Sequence, residues 1–230
     1  MYCSKCKHSD TELCEYCIHG VDDREDHYEP KTEEDILREK IKARENFLEQ
    51  KADLVSYSIN LYLPPVFLDA YRRIVKCTSQ EQKYIRFATV RAGESYLFAT
   101  NSFIACRVHV PIPLALQNKD IVYIENGKVG VSEKVKWPET IDDVFCYTKL
   151  AKTPFILRNS RTVFLDGKML HCGVFTAEEG FEIYFNQEYF DLVCDVIGEI
   201  KQIGYTERHC AIVLGSEDGI ATIMPILNVE

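Results

Sequence analysis

Residues 181–204 read FEIYFNQEYFDLVCDVIGEIKQIG, and residues 210–227 read CAIVLGSEDGIATIMPIL. The first stretch opens with alternation over FEIYFN (181–186), the period of a half-buried strand. It then changes period. Tyr189, Phe190, Val193, Val196, Ile197 and Ile200 recur at helical spacing, which predicts an amphipathic helix over 187–204. The second stretch predicts two strands around Gly215–Gly219. The order is strand, helix, antiparallel strands.

The same order occurs earlier in the chain. YSINLYL (57–63) alternates as a strand. PPVFLDAYRRIVKCTS (64–79) predicts a helix with prolines in its first turn and an apolar face of Val66, Phe67, Ala70, Tyr71, Ile74 and Val75. KYIRFATVRA (83–92), ESYLFATNS (94–102) and FIACRVHVPI (103–112) read as strands. IVYIENGKVGV (121–131) is a hairpin turned by Asn126-Gly127. WPETIDDVF (137–145) is a connector, with further strands at PFIL (154–157) and TVFLDGKMLHCGVF (162–175). A fold of the α+β class follows: duplicated strand–helix–strands units with antiparallel sheets, about 56–136 and 150–227, within one domain over 56–230.

Ahead of this body the composition differs. VDDREDHYEPKTEED (21–35) is an acidic linker, and residues 33–54 predict a long charged helix. Its stripe of Ile36, Leu37, Ile41, Leu48 and Val55 is thin, fitting a solvated helix docked on one side or a coiled coil of at most three heptads. Thr32 and Asp35 mark its start.

Four of the ten cysteines stand in two C-x-x-C pairs within MYCSKCKHSDTELCEYCIHG (1–20). Cys3, Cys6, Cys14 and Cys17 supply a tetrahedral four-thiolate set, the donor chemistry of structural zinc. A peptide this short has no core, so the metal would supply its folding energy. A redox dithiol and an iron–sulfur cluster are the rivals, and His8 and His19 are spare ligands. Four protein thiolates leave no open position for catalytic zinc. The remaining cysteines, Cys77, Cys106, Cys146, Cys172, Cys194 and Cys210, read as buried apolar thiols.

Composition sets the remaining bounds. The chain has 230 residues, 46% hydrophobic and 27% charged, with net charge −9. No whole-chain basic signature for nucleic acid exists, although a local basic stripe remains allowed. The absence of a secretory leader or a transmembrane run points to the cytoplasm. No phosphate loop, nucleophile elbow or zinc-protease motif is present, and His109, His171 and His209 stand alone. Asp166-Gly167 and Asp218-Gly219 read as turns, and Asp142, Asp143 and Glu139 as a solvated loop. The expectation is a chain that is not an enzyme.

Two stretches carry a family resemblance. SYLFATNSFIACRVHV (95–110) holds Ala99-Thr100 where the family has Ala-Thr-Asp, with Asn101 in place of the acid. Phe185-Asn186, Tyr189-Phe190-Asp191 and Met224-Pro225 follow in the family's order, and WPETIDDVF is similar to its Phe-Pro-Asp connector. The chain resembles a divergent relative of the bacterial DNA polymerase III beta subunit, the sliding clamp, over about 56–227. The resemblance implies a non-enzymatic DNA-associated scaffold in replication or repair, compatible with a phage or mobile-element origin. Double-stranded DNA, replication or repair proteins and further copies of the chain are its expected partners. Clamp helices line the inner wall of a ring and meet phosphates through Lys and Arg. Arg72, Arg73 and Lys76 lie off the apolar face of helix 64–79, and Lys149, Lys152, Arg158 and Arg161 form a second basic stretch. A solvated helix face is the plain alternative for the first set. The helix over 187–204 departs from the pattern, since its polar face holds Glu188, Asp191, Asp195 and Glu199 against Lys201. A zinc-containing interaction module that leaves DNA alone is the competing reading.

Overall fold

The structure, a computed structural model, describes residues 31–138, 141–151, 161–165, 168–177, 179–207 and 210–226, with backbone alone at 161, 163–165 and 168. The four N-terminal cysteines, Lys152, Arg158, His209 and the PFIL segment lie outside the described residues. The chain divides into two units, residues 1–49 and 50–230.

A helix, α1 (Glu33–Asp53), runs out of the first unit. Its start is a reciprocal cap. The Asp35 amide donates to Thr32 Oγ1 at 3.2 Å, and the Thr32 amide donates to Asp35 Oδ2 at 3.1 Å. Glu33, Glu34 and Asp35 in the first turn complement the positive end of the helix dipole.

After the last turn of α1, the second unit continues with β1 (Tyr57–Asn60) and α2 (Pro65–Ile74). Proline at the first helical position forfeits only an amide that the helix leaves unpaired anyway. The three-stranded meander β2 (Val90–Ala92), β3 (Tyr96–Thr100) and β4 (Ile104–His109) follows, then the hairpin β5 (Lys119–Glu125) and β6 (Lys128–Ser132). Asn126 (φ 49°) and Gly127 (φ 76°) make its two-residue turn, as Asn-Gly demands. After a short edge strand β7 (Lys149–Leu150) comes the hairpin β8 (Arg161–Leu165) and β9 (Lys168–Thr176). The chain then forms β10 (Glu182–Asn186), α3 (Gln187–Ile197) and a second meander, β11 (Gln202–Tyr205), β12 (Ile212–Gly215) and β13 (Gly219–Ile223).

Among the described residues all strand pairs are antiparallel, in a ten-stranded sheet ordered β1-β6-β5-β2-β3-β4-β13-β12-β11-β7 and a three-stranded sheet ordered β10-β9-β8. The duplication read from element order is present in the pairing. The last strands of the two meanders, β4 and β13, pair with Ile104 opposite Ile223 and Val108 opposite Gly219. A local twofold relation passes through the Cys106–Ala221 pair. On both sides the strand before the helix pairs with a hairpin, β1 with β6 and β10 with β9. The two halves differ at one join: β5 pairs with β2 and extends the sheet, whereas β7 occupies the equivalent edge of β11.

Alternation along the central strands places Ile104, Cys106, Val108, Ala221 and Ile223 in one core with Phe67, Ala70 and Ile74 of α2 and Val193, Val196 and Ile197 of α3. Both helices therefore cover one face of the sheet. Phe98 and Ala105 face the other way, against Phe145, Trp137 and Ile220, so the connector crosses the opposite face. Trp137 Nε1 donates to Asp120 at 2.6 Å and Thr222 Oγ1 donates to the Val144 carbonyl at 2.6 Å, fastening it there.

Three sequence readings change. Residues 82–87 form a 3-10 turn, not the start of a strand, because Ser79 N donates to the Phe87 carbonyl at 2.8 Å and the Phe87 ring packs on Trp137 at 5.7 Å. The second helix stops at Ile197. Gly198 (φ 82°) takes a backbone conformation that side chains rarely allow, and its amide donates to the Cys194 carbonyl. Residues 202–204, read as the end of that helix, belong to β11, which runs on to Tyr205. Of the six body cysteines, Cys77, Cys106 and Cys172 are buried, Cys194 and Cys210 half-buried, and Cys146 exposed.

Candidate nucleic-acid interface at the paired helices

The C-terminal end of α2 carries Arg72, Arg73 and then Lys76 on the following 3-10 turn. The last carbonyls of a helix lack partners within it. In α3 the carbonyl of Val196 receives Arg73 Nη1 at 2.9 Å, and that of Ile197 receives Ser216 Oγ at 2.5 Å. A guanidinium there also meets the negative end of the dipole. Asp69 lies 3.3 Å from Arg73 Nε, one turn back on α2. Arg73 thus ties the two helices together, while Arg72 and Lys76 are exposed. Of the three cations, only these last two face solvent with no role in the packing of the helices.

Across the helix pair the charge reverses. Asn186 caps α3, accepting from the Glu188 amide at 2.8 Å, and this fixes the phase of the exposed Glu188, Asp191 and Asp195. Lys201 is paired with Glu199 at 2.7 Å. Burial pushes the Cys194 thiol up to about 11, with Asp191 and Asp195 adding to the rise, so it stays protonated at neutral pH. The helix face is consequently dipolar, basic at the end of α2 and acidic along α3.

The second basic stretch does not join the first. Lys149 sits on β7, the far edge of the sheet, and pairs with Glu179 at 2.6 Å. That contact holds Glu179 below the usual carboxylate range and raises Lys149. Arg161 begins β8 in the separate three-stranded sheet.

One feature escaped the sequence reading. The turn between β3 and β4 holds Ser102 at φ 79°, with Asn101 Oδ1 accepting the amides of Phe103 and Ile104, both at 2.9 Å. It presents an exposed Phe103 whose ring stacks on Tyr189 at 5.9 Å. The Phe103 carbonyl accepts the amide of the exposed Met224 at 2.8 Å. The two stretches that carry the family resemblance therefore meet at one apolar corner. The Asn-Ser pair before an aromatic was the available turn signal.

Elsewhere the described residues hold no group of three or more His, Cys, Asp or Glu arranged for a metal ion. His109 stands on β4, His171 on β9 beside Thr162 at 3.3 Å, and Asp142 pairs with Arg107. No described helix is long and apolar enough to cross a membrane.

No family model matches the sequence, and no curated protein matches it. Among solved structures the chain is similar to bacterial sliding clamps. A DNA polymerase III beta subunit from Borrelia burgdorferi, in complex with a natural product, is 11% identical with a TM-score of 0.47, covering 90% of this chain and 71% of that one. A Helicobacter pylori beta clamp bound to a DNA ligase peptide is 12% identical at 0.46, covering 74% and 65%. A beta subunit from Eubacterium rectale is 11% identical at 0.45, covering 75% and 66%. The chain spans just under two thirds of the last two. At these identities and scores the likeness gives no residue a role.

Proposed function

We propose that the chain is a non-enzymatic, clamp-related scaffold that associates with duplex DNA and with proteins of replication or repair. One observation carries the reading. Two strand–helix–meander units are joined through β4 and β13, and both helices lie on the same face of the shared sheet. A clamp relative needs that arrangement, and helices on opposite faces would have excluded it. Arg72 and Lys76 are the DNA-contacting residues, acting on phosphates without reading sequence. Lys149, Lys152, Arg158 and Arg161 are at most accessory contacts, and Arg73 acts by holding α3.

The apolar corner of Phe103, Tyr189 and Met224 is the site for protein partners. The acidic face of α3 repels DNA, and this favours the second reading, a protein-interaction module, for that half of the surface. The N-terminal Cys3, Cys6, Cys14 and Cys17 hold one structural zinc in an appendage used for recognition. Retention on a fluorescent duplex at low salt tests the main reading. Loss of retention in Arg72→Ala/Lys76→Ala, with folding intact, is the expected result. Absence of any DNA retention leaves the interaction module as the function.

A further inference from the structure

The helix α1 is exposed almost throughout. Leu37, Ile41 and Leu48 remain 56%, 51% and 49% accessible, and Phe47 is its only buried residue. The three exposed side chains belong to a seam: Glu34, Leu37, Ile41, Arg44, Leu48 and Lys51 follow one another in steps of three and four. Such spacing keeps them on one side of a helix that supercoils about another. At a rise of about 1.5 Å per residue the seam runs about 25 Å.

The charges on the seam identify its occupant. In a parallel pair of identical helices every seam position faces itself. Glu34 would meet Glu34, Arg44 would meet Arg44, and Lys51 would meet Lys51, so half the layers would repel. Reversed, the same seam is complementary to itself. Glu34 faces Lys51 of the second copy, Leu37 faces Leu48, and Ile41 faces Arg44, whose methylene stem can cover it. Each layer then occurs twice about a twofold axis, the isologous geometry of most homodimers. The flanking positions agree, since Arg38 lies across from Glu45 of the second copy. We infer that α1 is a dimerisation element, pairing with α1 of a second copy of this chain as a short antiparallel coiled coil. The inference rests on α1 alone and is independent of how the body engages DNA.

Sedimentation of the full chain across a concentration range tests it. The wild type shows a dimer that dissociates on dilution. Ile41→Asp and Leu48→Asp give the monomer mass at concentrations where the wild type is dimeric. Arg38→Glu turns two attractive pairs into two repulsive ones and weakens the dimer about tenfold, and Glu45→Arg does the same. The double variant Arg38→Glu/Glu45→Arg restores wild-type affinity only in the antiparallel pair. In a parallel pair Arg38 faces Glu33 and Glu45 faces Lys40, so the double exchange would leave both junctions repulsive. Helix content by circular dichroism separates lost pairing from lost helix. A wild type that stays monomeric overturns the inference, whether the seam is covered by another segment or by a different protein. So does a dimer indifferent to Ile41→Asp, or one the double exchange fails to restore.

Discussion

Replacing Arg73 by methionine separates architecture from DNA contact. The change keeps the apolar stem and removes the guanidinium, which donates to the Val196 carbonyl at 2.9 Å and pairs with Asp69 at 3.3 Å. A hydrogen bond involving a charged group contributes about 1.5–3 kcal/mol. The Asp69 pair is partly exposed, with side-chain accessibilities of 31% and 69%, so solvent screening holds it to the low end of about 0–1 kcal/mol. The sum is a loss of about 2 kcal/mol, most of it from the hydrogen bond to the carbonyl of the buried Val196. For a domain of this size that lowers the melting temperature by about 4–8 °C. Arg72→Met, one residue away and exposed, should change stability by about 0.5 kcal/mol or less. Thermal and urea unfolding of both variants measure the difference. Equal effects, or a larger loss at Arg72, would refute the assignment of Arg73 as the tie between the helices.

The remaining predictions concern other parts of the fold. Gly219→Ala places a Cβ 2.2 Å from the Arg107 carbonyl on the neighbouring strand, so β4 and β13 must separate, and a loss of about 1–3 kcal/mol in urea unfolding is expected. Gly127→Ala meets no atom but must adopt φ 76°, and a smaller loss of about 1–2 kcal/mol should follow from backbone strain alone. Burial raises the Asp120 carboxyl, against the lowering effects of Trp137 and Arg91. A carboxyl raised in the folded state favours folding when protonated, and that contribution is lost as pH rises through its folded pKa. Relative to Asp120→Asn, which keeps an acceptor for Trp137, the wild type should therefore gain stability between pH 7 and pH 4. A gap that moves the other way would contradict the burial argument. Metal analysis should find about one zinc per chain, lost in Cys14→Ser, and zinc retained by that variant would shift the ligand set to His8 or His19.

The local grammar of the fold was legible in the sequence, and its long-range pairing was not. Asn126-Gly127, the prolines before α2 and the change of period at Asn186 each declared an element, because each acts within a few residues. Gly198 was an available stop signal for α3, but Ile200 continued the apolar spacing, carried the expected helix on to 204 and hid the start of β11. Residues 82–87 carried strand-like side chains, yet the turn they form is held by the Ser79–Phe87 backbone bond and by the packing of Phe87 on Trp137, fifty residues further on. The join between β5 and β2 had no signature at all, since any antiparallel edge could have taken that place. At the site, the chain order marked Arg72, Arg73 and Lys76 as equivalent cations. Only the packing of α3 against α2, from the other half of the chain, assigns Arg73 to the Val196 carbonyl. The acidic face of α3 was readable because helical spacing alone fixes it.

The salt dependence of duplex binding tests the central claim most directly. Each phosphate neutralised contributes a slope of about −0.9 in log K against log salt. The account predicts measurable binding at low salt, and a slope shallower by about two in Arg72→Ala/Lys76→Ala than in the wild type. A slope unchanged by the double variant, or no binding at low salt, would contradict a clamp-related helix face that touches DNA.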